Sequence, residues 1–179
     1  TYDKLNRQTA ANYPASSTPF NTINRIETGY DANNNVTSVT EYKTGVDNSS
    51  IVDSTVNQYD NFDRLTTSTQ RGMAISYSYD DNGNRTSVAT PAGSTAYTFD
   101  GRNRIETAVA DSLATTYTYY ADGKKNTIAY PNGTSVGYTW HPTNRVKTVA
   151  NLSGETTLSH YSYFYDKNGN RLWQSEVQN

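Results

Sequence analysis

The 179-residue chain contains no cysteine. That excludes disulfide staples and thiolate metal sites, and it fits any redox compartment. There is one Met, and only 34% of residues are hydrophobic, too few for a compact enzyme built on a Leu/Ile/Val core. An excess of one charge is also missing. Fifteen Lys and Arg against 17 Asp and Glu leave a net charge of −2, which argues against a nucleic-acid partner. No apolar run approaches the roughly 18 residues of a membrane span, and no signal-peptide pattern is visible. Helix signals are nearly absent; Asp111-Ser-Leu-Ala114 is too short to count. The two histidines, His141 and His160, lack the HExxH spacing of a zinc site and have no evident orienting carboxylate. No cofactor is implied.

What is present is turn-rich and β-rich. The chain holds 16 Tyr, 27 Thr, 20 Asn and 17 Ser. Disorder is the rival reading for so polar a chain, but 12% of residues are aromatic and they are regularly placed. The stretch Ile75 to Ala89, ISYSYDDNGNRTSVA, shows the unit: two arms of β-type residues around Asn82-Gly83. Asn-Gly between alternating arms predicts a hairpin with a two-residue type I′ turn, which needs positive φ at both central positions. That loop sets Asp80 opposite Arg85, Tyr79 opposite Thr86 and Tyr77 opposite Val88. A three-residue loop ending at Gly83 would shift this register by one.

The unit recurs. Aromatic anchors before turn residues stand at Tyr59, Tyr79, Phe99, Tyr119, Trp140 and Tyr165, with steps of 20, 20, 20, 21 and 25. Two forms alternate. The long form has Gly in the turn and a basic residue at its end: Tyr79-Asp80 with Gly83 and Arg85, Tyr119 with Gly123, Tyr165-Asp166 with Gly169 and Arg171. The short form ends one residue sooner: Tyr59-Asp60 with Arg64, Phe99-Asp100 with Arg104, Trp140 with Arg145. An earlier short form, Phe20-Asn-Thr-Ile-Asn-Arg25, puts the short-form arginines 39, 40 and 41 apart, so the full repeat is a hairpin pair of about 40 residues. In the short form Asn24, Asp63, Asn103 and Asn144 precede the Arg, and Asn and Asp tolerate the left-handed conformation that closes a bulged three-residue loop. Aromatics two apart, such as Tyr77/Tyr79 and Tyr138/Trp140, share a strand face and predict an aromatic stripe. The stripe reads as a packing face before it reads as a platform for sugars or bases.

Residues 1–58 are less regular than the array over 59–179. Tyr2-Asp-Lys-Leu-Asn-Arg7 is a good short form. Tyr30-Asp-Ala-Asn-Asn-Asn-Val36 looks like a long form but follows Phe20 by only 10 residues, while Tyr42-Lys-Thr-Gly45 suits the period and not the motif. Asp47 to Thr55 reads as a polar loop. The beginning at Thr1 and the ending at Asn179 in repeat-like sequence suggest a piece of a longer array, with sheet edges open to edge-to-edge self-association.

Two apparent sites weaken on inspection. Gly133-Thr-Ser135-Val-Gly137 matches the G-x-S-x-G elbow, but that motif needs a strand–turn–helix setting and here it leaves a Tyr-Pro-Asn-Gly turn for a strand. Asp80-x-Asn82-x-Asn84 and Asp166-x-Asn168-x-Asn170 copy the start of a calcium loop, yet the Gly and the bidentate Glu that should follow are absent. Hairpin turns explain both better.

The motif Tyr-Asp-x-x-(Gly/Asn)-Arg, with the longer Tyr-Asp-x-Asn-Gly-Asn-Arg, resembles the YD repeat of the Rhs family, whose relatives include the B and C components of bacterial toxin complexes and the animal teneurins. The resemblance covers essentially the whole chain. It departs from the pattern where Tyr120 and His141-Pro142 stand in place of the Asp. It implies an all-β fold of tandem antiparallel hairpins in a twisted, spiralling sheet, part of a hollow shell that is secreted or displayed at a bacterial cell surface. It implies a non-enzymatic structural role with the rest of the shell and an enclosed polypeptide cargo as partners. The family's closing core segment and the cargo have no counterpart here. A carbohydrate-binding or adhesive surface module is the alternative, although glycan-binding repeats of similar length rely on Trp, of which this chain has only Trp140 and Trp173.

Overall fold

A computed structural model describes residues 1–13, 23–43 and 50–178. The fold is all-β and the strands run in chain order, each antiparallel to its neighbour. Two compact units are distinguished: Thr1–Asp80 with Ser87–Ser94, and Asp81–Thr86 with Thr95–Asn179.

The first unit contains β1 (Ala10–Asn12), β2 (Ile23–Tyr30), β3 (Val36–Lys43), β4 (Ser50–Tyr59), β5 (Leu65–Gln70) and β6 (Met73–Tyr79), paired in that order. After β7 (Arg85–Thr90), the second unit takes most of β8 (Gly93–Phe99) and then β9 (Ile105–Ala110), β10 (Leu113–Tyr119), β11 (Lys125–Ala129), β12 (Thr134–Trp140), β13 (Val146–Ser153), β14 (Thr156–Tyr165) and β15 (Arg171–Gln178). These too pair only with their sequence neighbours. Among the described residues the last strand does not pair with the first, so the sheet is open. No helix occurs among the described residues.

These segments form strands because Thr, Tyr, Val and Ile alternate along them and suit a pleated, half-buried surface. Burial is slight throughout. Among the described residues only Ala10, Ile128 and Asp53 are buried, and no side chain is fully enclosed.

Successive turns fall on alternate rims. On the first rim the aromatic anchor pairs with the residue six positions on: Tyr30 with Val36, Tyr59 with Leu65, Phe99 with Ile105, Tyr119 with Lys125, Trp140 with Val146, Tyr165 with Arg171. The long and short forms are therefore one turn. The expected type I′ turn at Asn82-Gly83 is not formed: Gly83 has φ 86° while Asn82 stays out of the left-handed region. The left-handed residue always lies four after the anchor, at Asn6, Asn34, Asp63, Gly83, Asn103, Gly123, Asn144 and Gly169. This is a type I turn closed by a left-handed bulge residue. Asp then faces the residue five after the anchor. In the long-form turns at Tyr165 and Tyr119, Arg171 and Lys125 face the aromatic, and Gly83 holds the same left-handed place in the Tyr79 turn. The two-residue turns with positive φ at both positions lie on the second rim, at Arg71-Gly72 and Asp111-Ser112.

The N-terminal expectations change as well. Asn24 and Arg25 are not a turn; they lie inside β2, where Arg25 faces Asn12 and Tyr42 and ion-pairs with Glu27. Phe20 lies outside the described residues, as do Thr44-Gly45 and Asp47 to Ser49. Ser50 to Thr55, expected in a loop, belongs to β4 and pairs with β3. Tyr30 to Val36 is a regular first-rim turn.

Candidate functional site

The repeated motif residues meet along the first rim. In each turn the Asp after the anchor organises the loop. Asp60 Oδ1 accepts the backbone N–H groups of Phe62 and Arg64 at 2.9 and 3.0 Å, and Oδ2 accepts Arg64 Nε at 2.7 Å. Asp100 does the same with Arg102 and Arg104, at 2.9 and 3.1 Å for the backbone and 2.8 Å for Arg104 Nε. Asp3 and Arg7 repeat it. Asn and Asp favour such turns because their short side chains cap backbone donors two and four residues on.

The Arg also reaches forward to the next turn. Arg64 lies 4.6 Å from the ring centre of Tyr79 and donates to the carbonyl of Asp80 at 3.0 Å. Arg7 lies over Tyr30 at 4.7 Å and donates to the carbonyl of Asp31 at 2.9 Å. Arg104 covers Tyr119 at 4.2 Å, and Arg145 covers Tyr165 at 5.8 Å. A planar guanidinium can serve a carboxylate edge-on and a ring face-on at once, which an ammonium cannot. The anchors reach back: the hydroxyls of Tyr30, Tyr59, Tyr79 and Tyr119 donate to the carbonyls of Gln8, Val36, Leu65 and Ile105, and Trp140 Nε1 donates to Lys125 O, all at 2.8–3.0 Å.

In the alternate turns an amide takes the place of the Arg. Asn35 and Asn170 offer both backbone N–H and Nδ2 to Asp31 and Asp166 at 2.8–3.0 Å. Asn33 and Asn35 then donate to Asp63 of the following turn, and Asn84 to Asn103. Arg171, after the amide, donates to Gln174 at 3.1 Å. The residues that sequence reasoning missed are therefore Asn35, Asn84 and Asn170. Their signal was position: each stands five after an anchor, where the short form has Arg.

Electrostatics follow the geometry. The Arg104 side chain holds the Asp100 carboxyl at about 2, well below its ordinary value, and the backbone N–H groups of Arg104 and Arg102 add to the effect. Asp31 and Asp166 are lowered mainly by the amides of Asn35 and Asn170. On the opposite sheet face Thr98 bonds Thr107, Thr118 bonds Thr127 and Thr139 bonds Thr148, at 2.6–2.8 Å. Cross-strand hydroxyl pairs of this kind fix register.

Ser135 stands within β12 between Ala129 and Leu152, not on an elbow. The Asp166 carboxylate is taken up by Asn170, as a hairpin turn requires. Gly123 and Gly169 supply the left-handed residue where the preceding Arg lies close. A β-carbon would stand 3.6 Å from Arg104 Nη1 at Gly123 and would overlap the Arg145 guanidinium at Gly169.

The model of the RHS Repeat family matches residues 59–95 and 79–116. No curated protein matches the chain. Among solved structures the chain is similar to the crystal structure of TcdB2-TccC3-TEV, with 19% identity and a TM-score of 0.47. It is also similar to TcdB2-TccC3, at 19% and 0.45, and to the Photorhabdus luminescens Tc holotoxin pore, at 18% and 0.46. Each alignment covers 89% of this chain and 8% of the other, so the chain spans about a twelfth of the length of those chains. The matched residues hold two Arg turns and the long-form turn between them, and the same turn recurs on either side. The chain is an array of structural repeats, and its residues 59–116 are similar to the RHS, or YD, repeat family.

Proposed function

We propose that the chain forms part of the wall of a hollow YD-repeat shell that encloses a polypeptide cargo and works outside the producing cell or at its surface. The observation that carries this is open antiparallel sheet with almost no core of its own. Three described residues are buried, yet every first-rim turn is tied to its neighbours by side-chain bonds. A wall needs a stiff, extended sheet whose stability comes from neighbouring repeats, and arrays of this kind draw stability from nearest-neighbour interfaces. The role is containment: backbone groups are paired within the sheet, so a strip of hairpins excludes proteases and solvent without recognising any one cargo.

Protease protection tests this on the full-length parent chain. A polypeptide held inside is cleaved far more slowly than the same polypeptide expressed alone. Cleavage of both at the same rate refutes the reading. Opening the rim with Arg64→Ala and Arg104→Ala together should raise the cleavage rate of the enclosed polypeptide.

A further inference from the structure

Asn-Gly stands at three turns, Asn82-Gly83, Asn132-Gly133 and Asn168-Gly169, and in each the Asn is exposed. The three glycines are left-handed, with φ of 86°, 81° and 90°. An Asn followed by Gly carries its own reagent: the glycine nitrogen can attack the Asn side-chain carbonyl carbon, because no β-carbon stands in the way. The three turns differ in what surrounds that reaction. Asn132 Oδ1 accepts the backbone N–H of Thr134 at 3.0 Å and its hydroxyl at 2.7 Å, so the Asn132 side chain is tied down. Among the described residues no side-chain bond holds Asn82 or Asn168. A β-carbon on Gly83 or Gly133 would meet open space, whereas the Arg145 guanidinium fills the place of a Gly169 β-carbon.

We propose that Asn168 is a self-modification site, deamidated by the Gly169 nitrogen with Arg145 promoting the attack. The Gly169 nitrogen loses its proton to a base in solvent and bonds to Asn168 Cγ. The Cγ–Nδ2 bond breaks, and the nitrogen leaves as ammonia after taking a proton from water. A second water opens the cyclic imide at either carbonyl, giving aspartate or isoaspartate. A guanidinium beside the attacking nitrogen favours its deprotonated form, as a cation favours any nearby anion. Gly169 N donates to Asp166 O at 3.1 Å in the closed turn, so attack waits on a brief local opening. Both products put a carboxylate beside Arg145. Isoaspartate also lengthens the main chain by one carbon within the loop that Asn170 N and Nδ2 close onto Asp166 at 2.8 and 2.9 Å. The turn that Arg145 covers therefore changes charge and length with the age of the molecule. The site does not depend on the shell reading.

The test incubates the 179-residue chain in mildly alkaline buffer, native and in denaturant, and samples it over time. Peptide mass spectrometry reads the amide-to-acid mass gain and the isoaspartate at each Asn. Rotating Asn132 breaks two hydrogen bonds of ordinary net strength, so Asn132 should react about tenfold more slowly than Asn168 in the native chain. An exposed charge contact changes a rate by about threefold, so Arg145→Ala should slow Asn168 by that factor and leave Asn82 unchanged. Arg145→Lys should restore the Asn168 rate. In denaturant the three sites should react alike. Asn168 leading in the native chain, with the order lost on unfolding, supports the site. Asn168 no faster than Asn132 in the native chain overturns it. So does an Asn168 rate unmoved by Arg145→Ala in a variant with an unchanged far-UV spectrum.

Discussion

If Arg145 lies across the turn of Tyr165, Gly169 is constrained twice. Its φ of 90° belongs to the left-handed region, and a β-carbon there would overlap the Arg145 guanidinium. Gly123 has nearly the same φ, 92°, but its β-carbon would make only an ordinary contact, 3.6 Å from Arg104 Nη1. The pair separates the two costs. Forcing a non-Gly residue left-handed costs about 1–2 kcal/mol, of which roughly 0.5 kcal/mol is returned because Ala restricts the unfolded chain. Gly123→Ala should therefore destabilise by about 1 kcal/mol. Gly169→Ala must also push Arg145 off Tyr165, and an exposed cation–π contact contributes about 0.5–1 kcal/mol, so the total is about 2 kcal/mol. For a chain of this size that lowers Tm by about 3 °C for Gly123→Ala and about 6 °C for Gly169→Ala. Thermal unfolding followed by far-UV circular dichroism reads the shifts. Urea unfolding of Gly169→Ala in an Arg145→Ala background then completes a double-mutant cycle, with an expected coupling of about 1 kcal/mol. Equal losses at the two glycines with no coupling would show that Arg145 does not rest on Gly169.

Acid should loosen the rim in a defined window. The Asp100 carboxyl sits at about 2 when folded against an ordinary 3.8, so its contribution is complete above 3.8 and disappears as pH falls through the folded value. Unfolding should set in below about pH 4, and Asp100→Asn should flatten that dependence in a pH titration of Trp fluorescence. Arg64→Lys keeps the charge but loses the fork and the stacking on Tyr79, so it should cost nearly as much stability as Arg64→Ala in urea unfolding; full retention by Lys would show that charge alone suffices. The 179-residue chain should self-associate, because among the described residues β15 is paired on one edge only and carries exposed Leu172, Trp173 and Val177; a monomer at all concentrations in sedimentation would refute this.

The strand content and the 20-residue hairpin period were legible because Tyr, Thr and turn residues repeat on a fixed spacing. The Asp–Arg pairing of the short turns was legible for the same reason: Asp60 and Arg64 are four apart and a bulged loop brings four-apart residues face to face. The long form misled because Arg85, Arg171 and the Asn-Gly dipeptide are conspicuous, and Asn35, Asn84 and Asn170 are not. Asn-Gly suits a type I′ turn equally well, and only the common position of the left-handed residue shows that Gly83 and Asp63 do the same work in one turn. Phe20 to Arg25 misled by composition. Its Asn-Arg matches the motif, but Arg25 has no Asp four residues before it, and without that acceptor Asn24 and Arg25 lie in β2, where Arg25 pairs with β1 and β3. Tyr120 and His141 were visible in the sequence only as two departures from the pattern; that they line one hollow depends on adjacent turns lying side by side on one rim.

That rim also explains how chains with little core can hold a register. In a compact domain a one-residue slip is resisted because it turns an apolar face to water. Here both faces are half-exposed, and apolar burial alone discriminates weakly between registers. The turns supply what the faces lack. A slip of one residue at Tyr59 would separate Asp60 from the two backbone donors it caps, lift Arg64 from Tyr79 and leave the Tyr79 hydroxyl away from the Leu65 carbonyl. Each bond is modest, but a slip breaks them together, and broken donors near the sheet lose partners rather than exchanging them. The faces are then free to vary as long as they remain β-forming. Such freedom suits an array of structural repeats whose register is held at the turns.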